Sequence, residues 1–167
     1  MTSARMALET DNRGCAMAVA AAHWRIGCIA AAVATTALAV AASAKQCYAP
    51  DARAQARAFS RVVTTEGGRT FYLAGHTSDP AFGFDQQVRD VFSQLDQSIK
   101  ASGGVGLSDM VTMTVFITDA RLGDRFIELR KEVFKECFPA SALITIAGLA
   151  QPGLLVEIQG IAVVDGK

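Results

Sequence analysis

The spacing of hydrophobic and polar residues changes several times along the chain, and each spacing predicts a different element. Between residues 88 and 99 the apolar side chains recur every three or four positions, with Arg, Asp, Gln and Ser between them, which predicts an amphipathic helix. The Ser-Gly-Gly of residues 102–104 ends this helix. A second helix is predicted through residues 126–134, with charged residues, Arg130 among them, on its outer side, and it ends before Pro139.

The remaining apolar segments are typical of strands. Residues 59–64 and 71–75 flank the Gly67-Gly68 pair and predict a hairpin. Alternating Thr and apolar residues predict a strand over 110–117, and further strands are predicted at 142–146 and 154–164. The predicted order is ββαβαββ, and the economical arrangement is an α+β fold with both helices on one face of one sheet. The other face is apolar enough to favour an oligomer that covers it.

The first 44 residues have the features of a secretory signal peptide. Arg25 precedes an uncharged stretch, residues 26–44, which ends in the small residues Ala42-Ser43-Ala44. We therefore expect cleavage after Ala44 and a periplasmic or secreted protein. The alternative is a membrane anchor formed by the same stretch, which is nearly long enough to span a bilayer. Translation begins at Met1 or at Met17.

After cleavage, residues 45–57 carry no apolar period and predict a flexible linker, followed by one domain at 58–167. Cys47 and Cys137 are the cysteines that remain. They can pair in an oxidising compartment, but Cys47 lies in the predicted linker, which favours a free thiol in the core at Cys137.

Charge and composition narrow the function. The chain holds 16 Lys and Arg against 16 Asp and Glu, which argues against nucleic acid as a partner. It has no CxxC pair and no Cys/His cluster, so we expect no metal. We expect no cofactor either, because the glycines at 103–106 do not lie between a strand and a helix as a phosphate loop would.

Glu157 is the first candidate for chemistry. It lies in the most apolar predicted strand, so its carboxylate is either buried with a partner or lines a cavity, where it could transfer protons. The alternative is an outward position on the same face as Gln159. His76 is the one histidine of the mature chain. It follows a predicted strand, and a histidine in such a loop is more often solvated than functional.

Four motifs in order resemble the RidA (YjgF-like) family, also called reactive intermediate deaminases or L-PSP endoribonucleases. The motifs are FYLAGH at 71–76, VFITD at 115–119, FPA at 138–140 and VEIQGIA at 156–162. The resemblance covers residues 58–164. It implies a chorismate-mutase-like α+β fold and a homotrimer with small-molecule sites in the clefts between subunits.

The resemblance also implies an activity, the hydrolysis of 2-iminobutanoate and 2-iminopropanoate to 2-keto acids and ammonia. In that activity Glu157 positions water or moves its proton. The residues that the resemblance places around the substrate are Phe59, Ala74, Gly75, Ser141 and Leu143.

Two positions depart from the family pattern. Near the first strand, Phe59 stands in place of the tyrosine of typical members, which removes a hydroxyl from the pocket. Where an arginine is expected to hold the substrate carboxylate, this chain has Ser141. Loss of such a charged partner costs on the order of 2–5 kcal/mol of binding. Arg61 shares a strand face with Phe59 and is a candidate replacement. The alternative function is a non-catalytic ligand-binding or chaperone-like trimer, and RNA cleavage is less favoured because no basic patch is evident.

Overall fold

The structure of the chain, a computed structural model, describes residues 45–164. The predicted signal peptide, residues 1–44, lies outside this range. The elements follow in the order β1 (Gln46–Tyr48), α1 (Ala52–Ala56), β2 (Val62–Thr64), β3 (Arg69–His76), α2 (Phe84–Ala101), β4 (Met110–Ile117), α3 (Gly123–Phe134), β5 (Ala140–Thr145) and β6 (Val156–Val164).

The main sheet has the strand order β3-β6-β4-β5. Strand β6 pairs antiparallel with both of its neighbours, β3 and β4, while β4 and β5 are parallel and joined through α3. A parallel pair needs such a crossover, because a tight turn can join only antiparallel strands. The most apolar strand of the sequence therefore lies inside the sheet, where both of its edges are hydrogen-bonded.

The hydrophobic core lies between one face of this sheet and the helices α2 and α3. The apolar stripe of α2 packs against Met113, Val115 and Ile158 of the sheet, and Phe126 and Leu129 of α3 complete the layer. The rings of Phe92 and Phe126 are stacked with their centroids 6.0 Å apart, and the ring of Phe134 meets that of Phe92 edge-on at 5.7 Å, so that both contacts join the two helices. Two helices on one face and an α+β fold are therefore confirmed.

The predicted hairpin is wrong. Strand β2 pairs antiparallel with β1 in a separate two-stranded sheet, with Cys47 opposite Val63, and does not pair with β3. Just before β2, Ser60 bridges to Ala140 at the edge of the main sheet, and its hydroxyl donates a hydrogen bond to the carbonyl of Phe138 at 2.6 Å. The partner of this segment is thus distant in sequence, which no local pattern could indicate.

The prediction of a flexible linker at 45–57 is also wrong, because these residues form β1 and α1. Asp51 caps α1 by accepting a hydrogen bond from the backbone N–H of Ala54 at 2.8 Å. Cys47 forms a disulfide with Cys137, so the predicted free thiol is corrected as well. The disulfide closes a long loop, since its cysteines are 90 residues apart, and ties the N-terminal segment to the chain between α3 and β5.

The disulfide should contribute measurably to stability. We expect the double variant Cys47→Ser/Cys137→Ser to lower the free energy of unfolding by about 2–5 kcal/mol, because a long closed loop restricts the unfolded chain. Urea denaturation of the oxidised wild type and the variant measures this. A reducing agent should lower the wild-type midpoint and leave that of the variant unchanged; equal midpoints for the two oxidised proteins would contradict the prediction.

Candidate functional site

Glu157 lies on the face of the sheet that the helices do not cover. Its neighbours on β6, Val156 and Ile158, are fully buried in the core, and side chains alternate between the faces of a strand. Glu157 is half-buried and pairs in register with Phe116 of β4. Within the described part of the chain, its carboxylate has neither a hydrogen bond nor an ion pair.

Gly75 provides the space for this carboxylate. A Cβ at residue 75 would lie 2.9 Å from the Cδ of Glu157 and would overlap its Oε1. The pairing of β3 with β6 is irregular between Leu73 and His76, so Ala74 and Gly75 lie in a bulge beside the glutamate. Of the residues proposed from the sequence, Ala74, Gly75 and Glu157 therefore form one group on the open face.

The rest of the open face is partly apolar. Tyr72 is 81% exposed and Ile144 is 41% exposed, on either side of the face. A shallow cavity of about 260 Å³ crosses it, lined among others by Tyr72, Thr112, Thr114 and Gln159. Large exposed apolar side chains in one area indicate a surface that contacts another molecule.

Ser141 lies on the opposite face. It pairs in register with Met113, which is buried in the core, and Leu143 likewise pairs with Val115. Ser141, Leu143 and Phe59 line one cavity of about 210 Å³, together with Arg53, Arg57 and Arg130; we call this cavity the arginine pocket. The second group of proposed residues thus meets at the outer strand β5, beside α1 and α3.

Arg130 brings a positive charge to Ser141. The side chain extends from α3 and is only 2% exposed, although the sequence pattern placed it on the outer side. Its Nη1 donates a hydrogen bond to the hydroxyl oxygen of Ser141 at 2.7 Å, and its Nη2 donates to the carbonyl of Arg57. The guanidinium lies over the ring of Phe126, with its Cζ 5.4 Å from the ring centroid.

No carboxylate among the described residues neutralises the Arg130 guanidinium, and its buried Nε has no hydrogen-bond partner there. Burial, with a smaller contribution from the positive charge of Arg57, lowers the pKa of Arg130 to about 10. The group therefore stays positively charged at neutral pH.

The two groups cannot meet within one chain. Ser141 and Leu143 are on the face that carries the helices, whereas Glu157 and Gly75 are on the open face, and the sheet lies between them. A ligand that contacts both groups needs a second copy of the chain whose open face approaches the arginine pocket.

Two other candidates have structural roles. Arg61, the proposed replacement for the missing arginine, donates a hydrogen bond to Asp51 at 3.0 Å and does not line the arginine pocket. The ring nitrogens of His76 lie 2.8 Å from the carbonyl oxygen of Ala74 and 3.2 Å from the hydroxyl of Ser98, so its partners are within the fold.

Sequence reasoning missed the arginines of the pocket. Arg130 lies four residues after Phe126 and three residues before Val133, so it falls on the apolar side of the helix. This spacing could have indicated that Arg130 faces inward. Arg53 and Arg57 gave no such signal, because they fall in the segment predicted as a linker.

Neither a metal centre nor a membrane span is found in the described part of the chain. Residues 45–164 contain no group of three or more His, Cys, Asp or Glu side chains placed to hold a metal ion. No helix in the same range is long and apolar enough to cross a membrane.

Comparison with known proteins gives consistent results. The sequence model of the family described as endoribonuclease L-PSP matches residues 49–164. A human 2-iminobutanoate/2-iminopropanoate deaminase is 27% identical over 112 residues, which are 63% of this chain and 79% of the human protein.

Solved structures of Rid proteins share the fold. RidA from an Antarctic Psychrobacter species is 29% identical, with a TM-score of 0.54 over 64% of this chain and 88% of its own. The Rid family protein YyfB from Yersinia pestis is 20% identical, with a TM-score of 0.62 over 72% of this chain and 98% of its own. The fold that the sequence resemblance implied is therefore confirmed.

Three glycine substitutions should differ in their effect on stability. Gly160→Ala should lower the free energy of unfolding by about 1–3 kcal/mol, because its Cβ would overlap the backbone carbonyl of Thr112, which cannot move away. Gly75→Ala should cost less, since the obstacle is the mobile end of the Glu157 side chain. Gly148→Ala is the control, with no atom within 4 Å of its Cβ. Urea denaturation measures the free energy of unfolding of all three variants. A Gly75→Ala variant as unstable as Gly160→Ala would contradict the interpretation that the Glu157 side chain can move away from residue 75.

Proposed function

This chain belongs to the endoribonuclease L-PSP family, and we propose that it hydrolyses small 2-imino acids in clefts between the subunits of a homotrimer. The observation that carries the proposal is the unpartnered carboxylate of Glu157, held over Gly75 on an open sheet face. The similarity to the human deaminase supports the choice of substrate class, because that protein is named for 2-iminobutanoate and 2-iminopropanoate.

The proposed chemistry needs one proton carrier. Water attacks the imine carbon, and the carboxylate of Glu157 accepts a proton from it as the carbon–oxygen bond forms. The carboxylic acid of Glu157 then returns this proton to the nitrogen, which gives a neutral carbinolamine. In the second step the carbinolamine hydroxyl gives its proton to Glu157, which passes it to the amino nitrogen, so that the carbon–nitrogen bond breaks, ammonia leaves and the carbonyl forms. The sum is a 2-imino acid and water converted to a 2-keto acid and ammonia, with no redox change.

An oligomer supports this chemistry because the two groups of site residues lie on opposite faces of the sheet. The open face of one subunit must approach the arginine pocket of the next, and such a contact joins two different surfaces. Contacts of this kind close into rings when the rotation allows it. The family resemblance sets the proposed number of subunits at three, and burial of Tyr72 and Ile144 favours assembly.

We also propose that the protein is exported and that the mature chain begins near Lys45. The disulfide between Cys47 and Cys137 supports export, because disulfides persist in the periplasm and outside the cell.

The activity can be tested by measuring ammonia release from 2-iminobutanoate generated in the assay. We expect Glu157→Gln to lower the rate by about 100-fold or more, because general acid–base catalysis contributes at least that much. Glu66→Gln is the matched control, since Glu66 is exposed in the connection between β2 and β3. Wild-type release at the rate of buffer alone would overturn the proposal, and ligand binding without release would indicate a non-catalytic binding trimer instead.

Mixed oligomers test whether two subunits share each site. Glu157→Gln removes one half of the site, and Ser141→Asp places a negative charge in the other half, so each variant alone should be inactive. Co-refolded in equal amounts, they should recover about a quarter of the wild-type rate, since that share of interfaces combines two intact halves. No recovery in a mixed trimer, with its mass verified by light scattering, would show that the halves do not meet.

A further inference from the structure

The arginine pocket holds more positive charge than its surroundings neutralise. Arg53, Arg57 and Arg130 all line it, and no acidic residue does so in the described part of the chain. The ion pair nearest to it is weak: Arg57 lies 3.4 Å from Asp124, whose side chain is 90% exposed. Arg53 has no ion pair with any described residue.

Burial makes the charge of Arg130 costly. An ionised group taken out of water is unfavourable unless an opposite charge and hydrogen bonds compensate it. Arg130 has hydrogen bonds from two of its three nitrogens, to Ser141 and to the carbonyl of Arg57, but no counter-charge. A bound anion would provide the missing compensation.

We propose that the arginine pocket binds the oxyanion group of a small-molecule ligand, with Ser141, Arg57 and Arg53 contacting the anion and Arg130 acting through Ser141. The Ser141 oxygen already accepts a hydrogen bond from Arg130, so its own hydroxyl hydrogen is free to donate to the ligand. The adjacent guanidinium polarises this hydroxyl and makes it a stronger donor.

With Arg130 behind it, Ser141 can occupy the position of the expected arginine. The positive charge comes from α3 instead of from β5, and it reaches the ligand through a hydroxyl. Arg130 is thus a positioning residue, because its second hydrogen bond also holds the end of α1, and with it Arg57, beside Ser141. The identity of the anion as the carboxylate of a 2-imino acid rests on the proposed function, whereas the binding of an oxyanion does not.

Isothermal titration of the mature protein with three probes tests the charge requirement. The probes are 2-oxobutanoate, its neutral amide 2-oxobutanamide, and inorganic phosphate. We expect 2-oxobutanoate to bind and the amide, which has nearly the same shape, to bind at least about tenfold more weakly. If phosphate binds as tightly as 2-oxobutanoate, the pocket accepts oxyanions in general, which supports the inference. Equal affinity for 2-oxobutanoate and its amide would overturn it.

Variants of the pocket test the assignment of residues. Arg130→Met should weaken 2-oxobutanoate binding by about tenfold or more and leave binding of the amide unchanged, and Arg130→Lys should restore part of the loss. A merely structural role would weaken both ligands equally and would overturn the assignment. Arg121→Gln is the charge-matched control, since Arg121 pairs with Asp119 outside the pocket.

If Arg130→Met does not fold, the pair Arg53→Gln/Arg57→Gln and the variant Ser141→Ala decide the matter, because these changes do not alter the core. Each should weaken binding of the acid and spare the amide, and unchanged affinity for the acid in both would overturn the inference. The outcome is separable from the proposed function. Ammonia release that does not depend on these residues contradicts the anion site alone, and arginine-dependent binding without ammonia release contradicts the hydrolase alone.

Discussion

The position of strand β6 inside the main sheet is the constraint on which the rest of the structure depends. Its even-numbered residues Val156, Ile158 and Ala162 are buried against the helices, so Glu157 must point to the other face. The same alternation on β5 places Ser141 with the core. Two residues that the proposed chemistry needs together are therefore separated by the sheet, and the need of that chemistry for a second subunit follows from the alternation of side chains on these two strands.

The sheet also separates the charged groups of the two halves of the site. The open face provides a carboxylate without a positive partner among the described residues, and the arginine pocket on the other face has three arginines and no acidic residue in its described lining. A small ligand with an anionic end and an electrophilic carbon would complement both halves. Arg130 joins three elements in this arrangement, since it extends from α3, contacts Ser141 of β5 and holds the end of α1.

The N-terminal segment shows how far local pattern can mislead. Residues 45–57 have the composition of a linker, yet they form β1 and α1, because β1 pairs with β2 and Cys47 pairs with a cysteine 90 residues away. For short elements such as these, stability comes from distant partners and hardly from the segment itself. The same segment supplies Arg53 and Arg57 to the arginine pocket. Because the segment was predicted to be a linker, these two arginines were not predicted as site residues.

The sequence by itself determined the long elements α2, α3, β4 and β6, because each has a periodic pattern that only one regular structure can bury. The family motifs also predicted Glu157 and Gly75 as candidate site residues, and the structure places the two side by side. Only the tertiary structure decided that Glu157 and Ser141 lie on opposite faces, that Arg61 pairs with Asp51, and that Arg130 turns inward to Ser141. The physical reason is that periodicity reports which side of an element is apolar, whereas the partner of a charged side chain is set by residues that are distant in sequence and close in space.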